Sequence, residues 1–235
     1  MNLLLLDDAD FIAADRVRIT GRRLLHLITV NKASVGQVLR AGRLGGLQGQ
    51  AVLLSINNTA AELQVSLSEQ PPAKLPITLL LALPRPKMLR RTLQTIASMG
   101  VAKLVLINSY RVEKSFWQTP FLQPEALTEQ LILGLEQARD TILPEVILAK
   151  RFKPFVEDEL PALAANTRGF IAHPGDHPEC PRALNEPVTL AIGPEGGWIP
   201  YEVTLLSKAG LQPVQLGERI LRVETAVPAL LARLF

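Results

Sequence analysis

At 235 residues, nearly half of them hydrophobic, the chain can bury a full core and is long enough for one large domain or two small ones. No run approaches the roughly 18–20 uncharged apolar residues of a membrane span, and the single cysteine, Cys180, excludes an internal disulfide and a cysteine-based zinc site. The net charge of +3 is unevenly spread: residues 16–61 carry seven basic and no acidic side chains, and residues 84–114 carry seven basic against Glu113 alone, as suits a phosphate-rich partner. Leu3 to Leu6 is a short apolar run followed by Asp7 and Asp8, with no basic segment ahead, which does not fit a secretory signal. A soluble protein of the reducing cytoplasm is expected.

Residues 1–70 read as short strands. Arg16-Val17-Arg18-Ile19 alternates polar and apolar, residues 34–40 alternate around Gly36, and residues 50–56 pair with residues 61–67 through an Asn57-Asn58-Thr59 turn. About five such strands in this length predict a small β-barrel. His26, between Leu25 and Leu27, reads as a packed or edge histidine rather than a ligand. Three prolines within residues 70–76 disfavour helix and central strand, so residues 71–76 are expected to be a linker and residues 77–235 a second domain.

From Ile77 the pattern alternates strand and helix, which predicts a mainly parallel α/β sheet. Residues 77–83 form a continuous apolar run, expected of a strand covered on both faces. A helix follows Pro84 and Pro86, with Leu89, Leu93 and Ile96 on one stripe and Gly100 at its end. Further strands are expected at residues 104–107, 145–149, 168–172, 188–192 and 212–216. Further helices are expected at residues 124–140, from Pro200 to Gly210, and at residues 223–234. Pattern alone predicts a doubly wound sheet, since such sheets ordinarily avoid threading themselves.

Two glycine-rich loops follow apolar runs near the end of the chain. Gly193-Pro194-Glu195-Gly196-Gly197 is an ordinary turn signal by itself. Leu216-Gly217-Glu218-Arg219-Ile220-Leu221-Arg222-Val223-Glu224-Thr225-Ala226 is less ordinary, because it sets Arg219, Arg222 and Glu224, charges that need partners, among apolar residues. Together the two stretches resemble the paired motifs of the RsmE family of ribosomal RNA uridine-N3 methyltransferases, in the SPOUT superfamily. That resemblance implies a PUA-like barrel at residues 1–70 and a SPOUT domain with a deep C-terminal trefoil knot at residues 77–235. It further implies a homodimer and S-adenosylmethionine-dependent methylation of N3 of a uridine in small-subunit (16S) ribosomal RNA or the 30S subunit, without a metal.

On the same resemblance, the cofactor is held by His173, Pro174, Gly175, Ile192, Gly193, Pro194, Gly196, Gly197, Leu216, Gly217, Arg219, Ile220, Leu221 and Thr225. Close backbone approach to a ligand favours glycine at 193, 196, 197 and 217. Arg222 is the candidate for orienting uracil or neutralising its developing charge, and Glu224 or Glu195 for accepting the proton; a purely structural Arg222–Glu195 pair is the alternative. Arg22, Arg23, Arg40, Arg43, Arg85, Lys87, Arg90 and Arg111 are the candidate RNA contacts, and Phe116 and Trp117 are read as packing rather than stacking residues.

The chain departs from the family pattern in places. Ser98-Met99-Gly100 stands where members commonly have Glu-Leu-Gly, Ile199 replaces a serine or threonine cap, and Pro228 falls early in the last helix. Those departures keep two alternatives open: a methyltransferase for another RNA site, and a non-catalytic RNA-binding ribosome assembly factor. A phosphoryl-transfer enzyme would need a Gly-x-x-x-x-Gly-Lys-Ser/Thr loop, which the chain lacks.

Overall fold

The structure, a computed structural model, describes residues 2–235. The chain divides into two compact units: Met1–Ala73 with Leu131–Leu143, and Lys74–Gln130 with Pro144–Phe235. The boundary after Ala73 falls inside the expected linker, and the first unit takes in a segment that sequence pattern assigned wholly to the second.

The first unit is a six-stranded sheet in the order β1-β4-β5-β6-β3-β2, formed by β1 (Leu4–Leu6), β2 (Phe11–Ala13), β3 (Arg16–Ile19), β4 (Val38–Arg43), β5 (Gln48–Ile56) and β6 (Ala61–Glu69). Among the described residues only the β1–β4 pair of this sheet is parallel. The alternation read in residues 16–19 is the burial pattern itself: Val17 and Ile19 face the core while Arg16 and Arg18 face solvent. The β5–β6 turn is fastened by Asn57, whose Oδ1 accepts from the amides of Thr59 at 2.8 Å and Ala60 at 3.0 Å.

Residues 21–29 overturn the all-strand reading of this region. They form helix α1 (Gly21–Thr29), which buries Leu24 and Leu27 in the same core as Leu4, Leu6, Leu53 and Leu63. The helix is short, and its N-cap Thr20 makes no side-chain capping bond. It therefore offers little local signal and is held by its packed face.

The second unit is built on a wholly parallel sheet in the order β12-β10-β11-β7-β8-β9. Its strands are β7 (Leu75–Ala82), β8 (Val101–Ile107), β9 (Glu145–Ala149), β10 (Arg168–Ala172), β11 (Val188–Ile192) and β12 (Leu211–Val214). Sequence pattern placed β9, β10 and β11 at these bounds. β7 instead begins inside the expected linker, with Pro76 in it, and its pairing with β8 shifts register between Leu75 and Thr78. Proline lacks the N–H the ladder needs, so the irregularity falls beside it.

Helices α2 (Pro86–Ser98), α3 (Pro124–Ala138), α6 (Pro200–Lys208) and α7 (Val223–Leu234) follow the predicted pattern. Leu89, Leu93 and Ile96 of α2 are fully buried, as their spacing requires. Sequence pattern left residues 152–164 unassigned; there α4 (Phe152–Pro154), a π-helical turn (Phe155–Glu159) and α5 (Leu160–Ala164) run on from one another and bury Phe155, Val156 and Leu160. Pro154 and Pro161 interrupt the helical pattern in this stretch, which hides it from a periodicity reading.

Candidate active site

Because every strand of the second sheet runs the same way, the loops after β7, β8, β10, β11 and β12 all emerge at one edge. In open α/β sheets that edge is where ligands bind. A cavity of about 340 Å³ opens there, walled by the loops after β10, β11 and β12 and closed below by Val223, Ala226 and Leu230 of α7.

The loop after β11 turns tightly: the Gly197 amide donates to the Pro194 carbonyl at 2.7 Å, and Gly197 takes φ +74°. A Cβ at Gly193 would lie 3.1 Å from the Trp198 amide nitrogen and 3.2 Å from its ring, so the missing side chain lets the loop close on Trp198. Trp198 is 3% exposed and packs on Phe152 with ring centroids 5.9 Å apart. In the loop after β12, Gly217 takes φ +110° and its amide donates to the Gln215 side chain. The loop after β10 begins with the His173 amide donating to the Val214 carbonyl at 3.0 Å, which ties β10 to β12.

Most of the predicted cofactor residues meet at this cavity. His173, Pro174, Ile192, Gly193, Pro194, Gly196, Gly197, Leu216, Gly217, Arg219, Ile220 and Leu221 line it, whereas Gly175 and Thr225 do not. Of the candidate catalytic residues only Glu195 lines it. Arg222 is the exposed N-cap of α7, between the lining residues Leu221 and Val223, and Glu224 follows in the first helical turn. Among the described residues no ion pair joins Arg222 to Glu195, so the structural pairing considered from sequence is not formed.

Sequence reasoning missed Ala172, Trp198, Val214, Gln215, Val223, Ala226 and Leu230, which complete the wall. Most are apolar strand ends or the buried stripe of α7, and such residues look like ordinary core until the topology brings them together. It also missed Glu202, a buried side chain in the first turn of α6 whose Oε2 accepts from the Ile199 amide at 3.0 Å and whose Oε1 accepts from the Tyr110 amide at 2.7 Å. A carboxylate three residues after the cap position was the available signal.

Two buried polar atoms in the wall have no partner among the described residues, His173 Nδ1 and Trp198 Nε1. Burial, with a smaller contribution from the neighbouring His177 ring at 5.4 Å, holds the His173 imidazole below its usual pKa and so neutral at pH 7. A largely apolar wall with unpaired polar atoms and glycine-exposed backbone suits a ligand with an apolar body and several hydrogen-bonding groups.

The basic residues fall into two sets. In the first unit, Arg22 forks onto Glu136 at 2.9 and 2.8 Å and Arg40 onto Glu69 at 3.1 and 2.8 Å. Arg23 binds Asp10 at 2.7 Å and the Leu5 carbonyl at 2.8 Å, and Arg43 binds Asp8 at 2.8 Å. Arg40 and Arg43 hold the Glu69 and Asp8 carboxyls below the usual range. At the sheet edge of the second unit, Arg85 and Lys87 are exposed at the start of α2 and form no ion pair among the described residues. Arg90 lies over the Phe121 ring at 5.3 Å, and Arg111 donates to the Gly196 carbonyl and lines the cavity. Trp117 donates to Asn108 Oδ1 at 2.9 Å and is partly buried.

Residues 71–235 match the family described as RNA methyltransferase domain. Over 97% of its length the chain is 29% identical to a ribosomal RNA small subunit methyltransferase E of Treponema pallidum, covering 88% of that protein. It is 28% identical to the protein of that name from Synechocystis over 96% of its length, covering 78% of that relative. The crystal structure of a ribosomal RNA small subunit methyltransferase E from Neisseria gonorrhoeae, bound to S-adenosyl methionine, superposes with a TM-score of 0.75 at 21% identity, covering 99% of this chain and 95% of that one, and so shares its fold.

Proposed function

The chain belongs to the RNA methyltransferase domain family, and from that premise we propose that it transfers a methyl group from S-adenosylmethionine to N3 of a uridine in small-subunit ribosomal RNA. The cavity at the ends of β10, β11 and β12 carries this reading. Its apolar wall accepts an adenine ring, its exposed glycine backbone accepts hydroxyl and amino-acid groups, and His173 Nδ1 and Trp198 Nε1 offer hydrogen-bonding atoms that lack partners among the described residues. Bound there, the cofactor would supply a sulfonium methyl; N3 forms the new N–C bond as the S–C bond breaks, leaving S-adenosylhomocysteine.

The chain's own residues would align the reactants and manage one proton. Glu195, the exposed candidate carboxylate on the cavity wall, accepts the N3 proton. Arg222, whose two chain neighbours line the wall, stabilises the negative charge that develops on the uracil carbonyls. Arg85, Lys87 and Arg111 at the same edge hold RNA phosphates.

The family resemblance also supports four finer features of the reading: a PUA-like barrel in the first unit, a trefoil knot, a homodimer and a cytoplasmic location. For the knot, two observations lend support. β11 enters the sheet between β7 and β10, and the β10–β11 loop grips the chain's last segment through the Cys180 and Ala183 amides, which donate to the carbonyls of Gln215 at 2.8 Å and Arg233 at 3.1 Å.

The test is calorimetric titration with S-adenosylmethionine followed by tritiated-methyl transfer to unmodified 30S subunits. Binding with transfer to one uridine is expected. Glu195→Gln and Arg222→Ala are each expected to lower turnover about 10²-fold or more while folding normally. Near-native turnover in both variants would remove these two assignments.

A further inference from the structure

Helix α6 begins at the glycine-rich loop without the usual cap. Its N-cap, Ile199, has no side-chain oxygen, and Pro200 follows. Glu202 supplies the reciprocal half of a capping box from within the helix, accepting the Ile199 amide at 3.0 Å. A helix cap requires no more, yet this carboxylate, 2% exposed, also accepts from the Tyr110 amide at 2.7 Å and from Ser109 Oγ at 3.4 Å. Ser109 and Tyr110 belong to the loop after β8, some ninety residues earlier in the chain. The next residue in that loop is Arg111, whose guanidinium reaches the Gly196 carbonyl and forms part of the cavity wall. A Cβ on Gly196 would stand 2.8 Å from Arg111 Cδ, so the arginine lies directly on the glycine-rich loop.

We infer that Glu202 is a positioning residue for methyl transfer: through the Tyr110 amide it fixes Arg111 against the glycine-rich loop, and so sets the RNA-facing wall of the cavity. This rests on the methyltransferase reading above. The two carboxylate oxygens divide the work, Oε1 taking Tyr110 and Oε2 taking Ile199 and Ser109. Glutamine has one acceptor oxygen in place of two and cannot keep both loops.

The absent cap supplies a means of separating the two tasks. Ile199→Ser restores a side-chain acceptor at the N-cap, so the Ile199→Ser/Glu202→Gln variant has a capped helix and a loosened tie to the 109–111 loop, and the Ile199→Ser background also guards against failure to fold. Relative to the unsubstituted protein, the double variant is expected to keep its thermal midpoint and to bind S-adenosylmethionine within about threefold. Turnover on 30S subunits is expected to fall by about 10- to 100-fold, the scale of a small misplacement of a wall residue. In an Arg111→Ala background the same Glu202→Gln change is expected to cost less than about twofold more, because both changes remove one interaction.

Amide hydrogen exchange at Tyr110 reads the tie without any chemistry, and faster exchange is expected in the double variant. Recovery of turnover along with the midpoint would reduce Glu202 to a cap, and full additivity with Arg111→Ala would break the proposed route; either result overturns the inference. Should the unsubstituted protein neither bind the cofactor nor transfer methyl, the functional reading fails, while unchanged Tyr110 exchange would refute the tie separately.

Discussion

His173 shows how a single residue links the cavity to folding. Its ring is held below the ordinary histidine pKa by burial, and Nδ1 lacks a protein partner among the described residues. An unfolded histidine takes up a proton near pH 6.5, whereas the folded one resists until a lower pH. Between those values the unfolded chain binds more protons, so stability is complete above about pH 6.5 and falls as pH drops through the window. His26 is also lowered by burial and adds in the same direction. Urea unfolding at pH 7.5 and 5.5 is expected to give a lower midpoint at the acid end, with His173→Gln flattening part of that difference. The lowered carboxyls of Asp8 and Glu69 act at a more acid pH, near and below about 4, and do not blur the window. An unchanged slope in His173→Gln would remove the burial argument for this residue. The family resemblance could name His173 as a cofactor residue from sequence, but not its protonation, which burial in the folded chain sets, with a smaller part from His177.

Among the elements, α1 and α2 show why counting basic residues misleads. Both carry clustered positive charge in the sequence, and the structure spends one set and leaves much of the other free. Arg22 of α1 forks onto Glu136, which is 2% exposed, and Arg23, Arg40 and Arg43 also hold carboxylates. These partners lie 13 to 114 positions away in the chain, beyond any local pattern. At the start of α2, Arg85 and Lys87 are exposed and free of ion pairs among the described residues. Removing a phosphate contact lowers the slope of log affinity against log salt by about 0.7–0.9 per charge. Filter binding to 30S RNA over a salt series should therefore show that loss for Arg85→Ala and Lys87→Ala, with unchanged melting. Arg22→Ala should instead leave the slope alone and destabilise by about 1–3 kcal/mol, because it strips the partner from a buried carboxylate. Equal slopes for all three variants would contradict this division. The elements themselves were largely legible, since β9, β10 and β11 are short apolar runs and α7 sets Val223, Val227, Leu230, Leu231 and Leu234 on one buried stripe. α1 and the helical stretch at 152–164 were not, one being uncapped and short and the other interrupted by prolines.

For the molecule as a whole, composition and alternation predict a parallel sheet, yet they carry no information on which strand neighbours which. That order is decided by long-range packing, and it makes the site: β11 between β7 and β10, with β12 on the far side of β10, brings loops from residues 173–174, 193–198 and 215–221 to one cavity. The arrangement is fastened at the end of α7. The Leu184 amide donates to the Leu234 carbonyl at 2.6 Å, the Ala183 amide to the Arg233 carbonyl at 3.1 Å, and Arg233 Nε to the Cys180 carbonyl at 2.6 Å, while Leu234 is fully buried. Deleting residues 233–235 removes those three hydrogen bonds, each contributing about 0.5–1.5 kcal/mol, and a buried leucine whose loss costs about 2–5 kcal/mol. The total, about 3.5–9.5 kcal/mol, is comparable with the whole stability of an ordinary domain, so the shortened chain should melt at a much lower urea concentration. The same deletion frees the far end of the helix that floors the cavity through Val223, Ala226 and Leu230. Cofactor at about a hundred times its Kd should raise the stability of the full chain by about 2.7 kcal/mol and the shortened chain by much less. If the shortened chain kept both its urea midpoint and its cofactor affinity, the grip of the β10–β11 loop on α7 would have no part in building the site. The observed bonds argue the reverse, that closing this end of the chain is what holds the floor beneath the two glycine-rich loops.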